Sequence, residues 1–84
     1  MADAAVKFGI PRKQAVVFAA QTLKGAAAMV LETGKHPGQL KDEVCSPAGT
    51  TIEAVRVLEE KGFRAAVIDA AAAAFDKSVE LSRK

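Results

Sequence analysis

The sequence predicts an all-α domain. Three observations carry that prediction. Apolar residues recur at helical spacing along most of the chain, no segment alternates apolar and polar residues as a half-buried strand does, and Gly/Pro clusters divide the chain into helix-length pieces. Residues 2 to 8, Ala-Asp-Ala-Ala-Val-Lys-Phe, read as the last turns of a helix stopped by Gly9, Ile10 and Pro11. Seven residues fall short of the roughly 12 that make even a marginal independent helix, so the natural chain is expected to continue upstream, with Met1 an added start.

Pro11 suits the first position of a long helix reaching Glu32 or Gly34, because its fixed φ is helical and its missing N–H would have lacked a partner there anyway. One stripe of this helix runs Val16, Ala20, Leu23, Ala27, Val30 and Leu31; a second runs Ala15, Phe18, Ala19, Thr22, Ala26 and Met29. A surface helix of a small protein keeps half its circumference polar, and this one does not. The remaining helices of so short a chain could hardly surround it, so a second subunit is expected to supply contacts. His36-Pro37-Gly38 breaks the chain, and Pro37 opens a short helix through Val44.

Ser46-Pro47-Ala48-Gly49 is a turn cluster. Thr50-Thr51-Ile52-Glu53 matches a capping box, with Thr50 as N-cap and Glu53 reaching back. It opens a helix with Ile52, Val55 and Leu58 inward, ended by Lys61-Gly62. From Phe63 or Arg64 to Leu81 runs a final helix, again apolar on most faces, with Val67, Ala70, Ala71, Ala74 and Leu81 on one side and Ile68, Ala72, Phe75 and Val79 on the next. Its run of alanines from 70 to 74 favours helix and permits close backbone approach.

Composition narrows the functional classes. The 84 residues carry 12 basic and 10 acidic side chains, scattered along the chain, which is not the clustered positive footprint of a nucleic-acid binder. The single cysteine, Cys45, excludes an internal disulfide and a CxxC site and fits a reducing compartment. The start of the chain lacks a signal-peptide layout, and no apolar run is expected to approach the ~20 residues of a membrane span, which points to a soluble cytoplasmic protein or one in an organelle.

Chemistry concentrates at Cys45 to Thr51. A helix start carries unpaired N–H groups and about half a positive charge, enough to hold a carboxylate or phosphate, and the hydroxyls of Ser46, Thr50 and Thr51 add donors. Physics alone favours a plain structural cap, since capped helices after a Pro-Gly turn are common. Elsewhere the candidates are bland. His36 has no partner ligands at metal spacing and reads as a loop or capping residue. Cys45 has one histidine in the chain as a conceivable base, and Asp42-Glu43 read as surface carboxylates. Arg12-Lys13 and Arg83-Lys84 read as solvated ends.

The stretch from His36 through Ile52, continuing in Val57-Leu58-Glu59 and Gly62-Phe63-Arg64, resembles the signature of pyrroline-5-carboxylate reductases. The likeness extends to Ala2 through Lys7, Gly9-Ile10-Pro11 and Ala19 through Leu23. Ala48 departs from the pattern, standing where the family usually has a second glycine and slightly narrowing the loop. The resemblance implies that residues 1–84 are a C-terminal helical domain that interlocks with its twin as a homodimer, possibly in a larger oligomer of dimers. An N-terminal Rossmann domain would bind NADPH or NADH. It further implies that the carboxylate of the substrate, pyrroline-5-carboxylate, or of the product, proline, sits on the turn formed by Ser46, Gly49, Thr50 and Thr51, with Thr51 also contacting the ring nitrogen as hydride passes from the nicotinamide to the C=N carbon.

This chain itself has no G-x-G-x-x-G, so no cofactor is expected on it, and alone it is expected to be inactive. A purely structural dimerisation module shares the fold and differs only in whether the turn binds ligand. A helix-turn-helix DNA binder is disfavoured, because Glu53 would present the wrong charge to phosphates.

Overall fold

The computed structural model describes residues 1 to 83, so Lys84 lies outside the described residues. Five helices follow one another: α1 Ala2–Lys7, α2 Arg12–Thr33, α3 Pro37–Val44, α4 Thr50–Glu60 and α5 Phe63–Ser82. The described residues form no strand, as the missing alternation predicts. The chain divides into two compact units, Met1–Glu43 and the segment from Val44 onward.

In the first unit α1 packs against α2. The stop after α1 is a Schellman motif: the Gly9 N–H donates to the Val6 carbonyl at 3.0 Å and the Ile10 N–H to the Ala5 carbonyl at 3.0 Å. The motif needs a left-handed residue, and Gly9 supplies it at φ +104°. Pro11 stands one position earlier than expected. It is the N-cap of α2, at φ −56° and ψ 143°, and its carbonyl accepts from the Ala15 N–H at 2.9 Å. A cap needs extended ψ with a free carbonyl, and proline satisfies both as readily as it satisfies the first helical position. Arg12 is exposed as expected, yet it pairs with Asp3 of α1 at 2.6 Å.

At the far end of α2, Thr33 donates to the Met29 carbonyl at 2.5 Å and Gly34 takes the left-handed conformation. His36 is a capping residue: its Nδ1 accepts from the Gly38 N–H at 2.9 Å and its carbonyl accepts from the Gln39 N–H at 2.9 Å. Asp42 and Glu43 pair with Lys41 and Lys35 at the surface.

In the second unit α4 packs against α5 through a two-residue corner, Lys61-Gly62. Gly62 adopts φ +74°, which lets the chain reverse with an N–H to carbonyl bond to Glu59 at 3.1 Å. Glu59 and Arg64 are ion-paired across the corner. Of the three α4 residues expected inward, Val55 is half-buried while Ile52 and Leu58 are exposed, because α5 alone covers too little of that face.

Very little of either unit is interior. Ala15, fully buried, and Leu40 are the buried apolar residues among those described. Val16, Val17, Phe18, Leu23, Met29 and Leu31 of α2 remain exposed, as do Phe63, Val67, Ile68, Phe75 and Leu81 of α5. One expectation needs correcting: α2 is long and apolar enough, by length and composition, to cross a membrane. Its charges stand at the ends and at Lys24, too few to break the apolar run. Lys24 sits mid-helix, where a cation costs about 2.5–3.5 kcal/mol in a bilayer.

Candidate functional site at the start of α4

The turn before α4 is a tight one. The Gly49 N–H donates to the Ser46 carbonyl at 3.0 Å, closing a four-residue turn with Pro47 and Ala48 at its centre. Ala48 has φ +57°, the one positive φ at a non-glycine residue among those described. Proline followed by a left-handed residue is the type II arrangement, which prefers glycine at the second central position. The departure at Ala48 therefore does more than narrow the loop. It puts a Cβ where the backbone conformation disfavours one.

An L-residue in the left-handed region costs about 1–2 kcal/mol relative to its preferred conformations, part of which is offset by the smaller entropy of alanine in the unfolded chain. Ala48→Gly is expected to raise stability by up to about 1 kcal/mol. Chemical denaturation at fixed protein concentration measures this, and a lower midpoint for the glycine variant would contradict the strain.

Gly49 is the N-cap of α4, at φ −82° and ψ 177°, with no side-chain capping bond. This corrects the expected capping box. Thr50 is the first helical residue, one position past the cap, so its hydroxyl is no longer placed to bond the first-turn N–H groups. Glu53 does not reach back either. Its Oε1 accepts from Arg56 Nε at 2.9 Å and Nη2 at 2.8 Å, while Arg56 Nη1 donates to Glu60 at 2.7 Å. The hydrogen bonds that Arg56 donates to Glu53 first and Glu60 second raise its pKa above the ordinary value, so the guanidinium stays charged.

Gly49 also sits against Ser46. A Cβ added at 49 would lie 2.7 Å from the Ser46 Oγ and 3.1 Å from the Ser46 carbonyl oxygen, so any larger residue displaces the serine. The sequence offers no sign of that contact, because it depends on how the turn folds back.

The structure thus brings Ser46, Gly49, Thr50 and Thr51 together over one turn and one helix start, with both threonines and Ser46 exposed and Gly49 half-buried. The Gly49 N–H is committed inside the turn. Those of Thr50, Thr51 and Ile52, the first three helical residues, have no intrahelical acceptor and lie at the positive end of α4. Such a site attracts an anion, and the neighbouring hydroxyls can donate to it. Cys45, just ahead of the turn, is half-buried and in no disulfide within the chain. Sequence reasoning missed the ion pairs of Arg56 and noted Ala48 for its size without its positive φ.

Long helices that expose apolar side chains around most of their circumference, joined to an anion-attracting helix start, define a helical association domain. The family model for pyrroline-5-carboxylate reductase dimerisation matches residues 1–81, and the chain belongs to that family. The chain is 70% identical over 83 residues to the pyrroline-5-carboxylate reductase of Escherichia coli K12, covering 99% of this chain and 31% of that one. It is 57% identical over 84 residues to the reductase of Methanosarcina acetivorans, covering 100% of this chain and 31% of the relative. Among solved structures, Plasmodium falciparum pyrroline carboxylate reductase with NADP bound superposes with a TM-score of 0.87 at 38% identity, over 92% of this chain and 29% of that one. The chain therefore spans about three tenths of the length of the relatives it matches.

Proposed function

We propose that this chain is the dimerisation and substrate-site domain of a pyrroline-5-carboxylate reductase, which reduces 1-pyrroline-5-carboxylate to L-proline with NADPH or NADH. The observation that carries the reading is the open helix start at Thr50 to Ile52, lying inside a segment that belongs to the dimerisation family. The N–H groups of Thr50, Thr51 and Ile52, with the Ser46 and Thr51 hydroxyls, hold the substrate carboxylate. Gly49 keeps Ser46 seated, since a side chain there would push the Oγ away. Thr51 lies two residues past Gly49 and its hydroxyl also serves the ring nitrogen, orienting the C=N bond.

The residues present do not fit a nicotinamide dinucleotide. A Rossmann site needs a strand, a glycine-rich turn and a helix, and this sequence has no such fingerprint. The cofactor belongs to a preceding domain of the complete protein, and the role of this chain is confined to holding and orienting substrate.

Homodimerisation is supported by exposed area. In the first unit α2 leaves Val16, Val17, Phe18 and Leu23 exposed, and in the second α5 leaves Val67, Ile68 and Phe75 exposed. A second copy would cover these apolar faces, and it is a better partner for α2 than a bilayer given Lys24. The scattered charge supports neither nucleic acid nor an anionic membrane surface as partner, and the single cysteine fits a reducing compartment such as the cytoplasm. The test is turnover by the complete protein: NADPH or NADH oxidation that depends on 1-pyrroline-5-carboxylate and is inhibited competitively by L-proline. A complete protein that binds neither compound would refute the reading.

A further inference from the structure

The spacing of Thr50 and Glu53 is that of a carboxylate reaching back three residues to an N–H at the helix start, and the structure holds that carboxylate elsewhere. We infer that Arg56 is a positioning residue for the substrate site: it keeps Glu53 away from the first-turn N–H groups of α4 and so leaves them for the substrate carboxylate. The inference rests on the turn being that site.

Side chains on a helix tilt toward its N-terminus, and a carboxylate in the first turn is drawn to the unpaired N–H groups there. Glu53 lies in that first turn. Left to itself it would compete with the substrate for the same donors, and being on the same chain it would do so at an effective concentration in the millimolar range. Arg56 prevents this from the C-terminal side. Two of its nitrogens converge on one Glu53 oxygen, and the third pairs with Glu60 one turn further on, so the guanidinium is itself anchored. Gly49 has no side chain with which to cap, so Glu53 is the nearest carboxylate that could close the N–H groups of Thr50 to Ile52.

Steady-state kinetics of the complete enzyme test this. Arg56→Ala should raise KM for pyrroline-5-carboxylate about three- to tenfold, the equilibrium weight of a self-cap of ordinary strength, while kcat moves by less than about twofold. Glu53→Gln added to Arg56→Ala should return KM to the wild-type value, and Arg56→Lys should raise it less than alanine does. A role in stability alone would leave the double variant as impaired as the single one, and that result overturns the inference, as does an unchanged KM for Arg56→Ala. Ser46→Ala is the control for the site itself. If it raises KM and Arg56→Ala does not, only the clamp is wrong; if neither does, the turn is not the substrate site.

Discussion

In the complete enzyme, Thr51→Ala is expected to lower kcat/KM for pyrroline-5-carboxylate by about ten- to a hundredfold, the kinetic equivalent of one hydrogen bond to a charged group at 1.5–3 kcal/mol. Stability should hardly move. The start of α4 is capped by the backbone of Gly49 and by no side chain, so removing the Thr51 hydroxyl takes nothing from the helix. Thr50 provides the contrast. As N-cap of a capping box its loss would cost about 1 kcal/mol, but as the first helical residue it should cost only a few tenths, and its hydroxyl is not assigned to the ring nitrogen. Thermal melts and kinetics on both variants separate the outcomes. Wild-type efficiency in Thr51→Ala, together with an earlier melt, would make the threonine structural and remove it from the substrate site.

The five helices were legible because their punctuation is unambiguous: Gly9, Gly34 and Gly62 each take positive φ at a helix end, and Pro37 opens α3 as its fixed φ allows. The capping box was misread for a physical reason. Thr50 and Glu53 have the right spacing, but spacing alone does not say which residue holds the extended backbone of a cap. Gly49 takes that conformation because the turn from Ser46 closes on it, and Arg56 then draws Glu53 the other way.

Ala48 was seen as a departure of size when it is a departure of backbone conformation. Only the turn type reveals that. The apolar excess of α2 and α5 was visible as pattern, whereas the scarcity of core beneath it emerges only from the fold. The inward face assigned to α4 fails for the same reason, since a helix periodicity identifies the apolar face and not whether the same chain covers it.

Dimerisation carries the other large expected effect. A second copy seated on the exposed apolar faces of α2 and α5 is expected to bury an area in the range of obligate interfaces, about 2,000–5,000 Å² in total. With Ala15 and Leu40 as its buried apolar residues, a separated chain has too little interior to offset the conformational entropy of ordering its helices. Folding and association should therefore be one transition, with a melting temperature that rises with protein concentration. Sedimentation equilibrium of the isolated 84-residue chain tests this most directly. At micromolar concentration a helical species of twice the chain mass, or a multiple of that dimer, is expected, with no folded monomer on dilution; a monodisperse, well-folded monomer rules out obligate dimerisation.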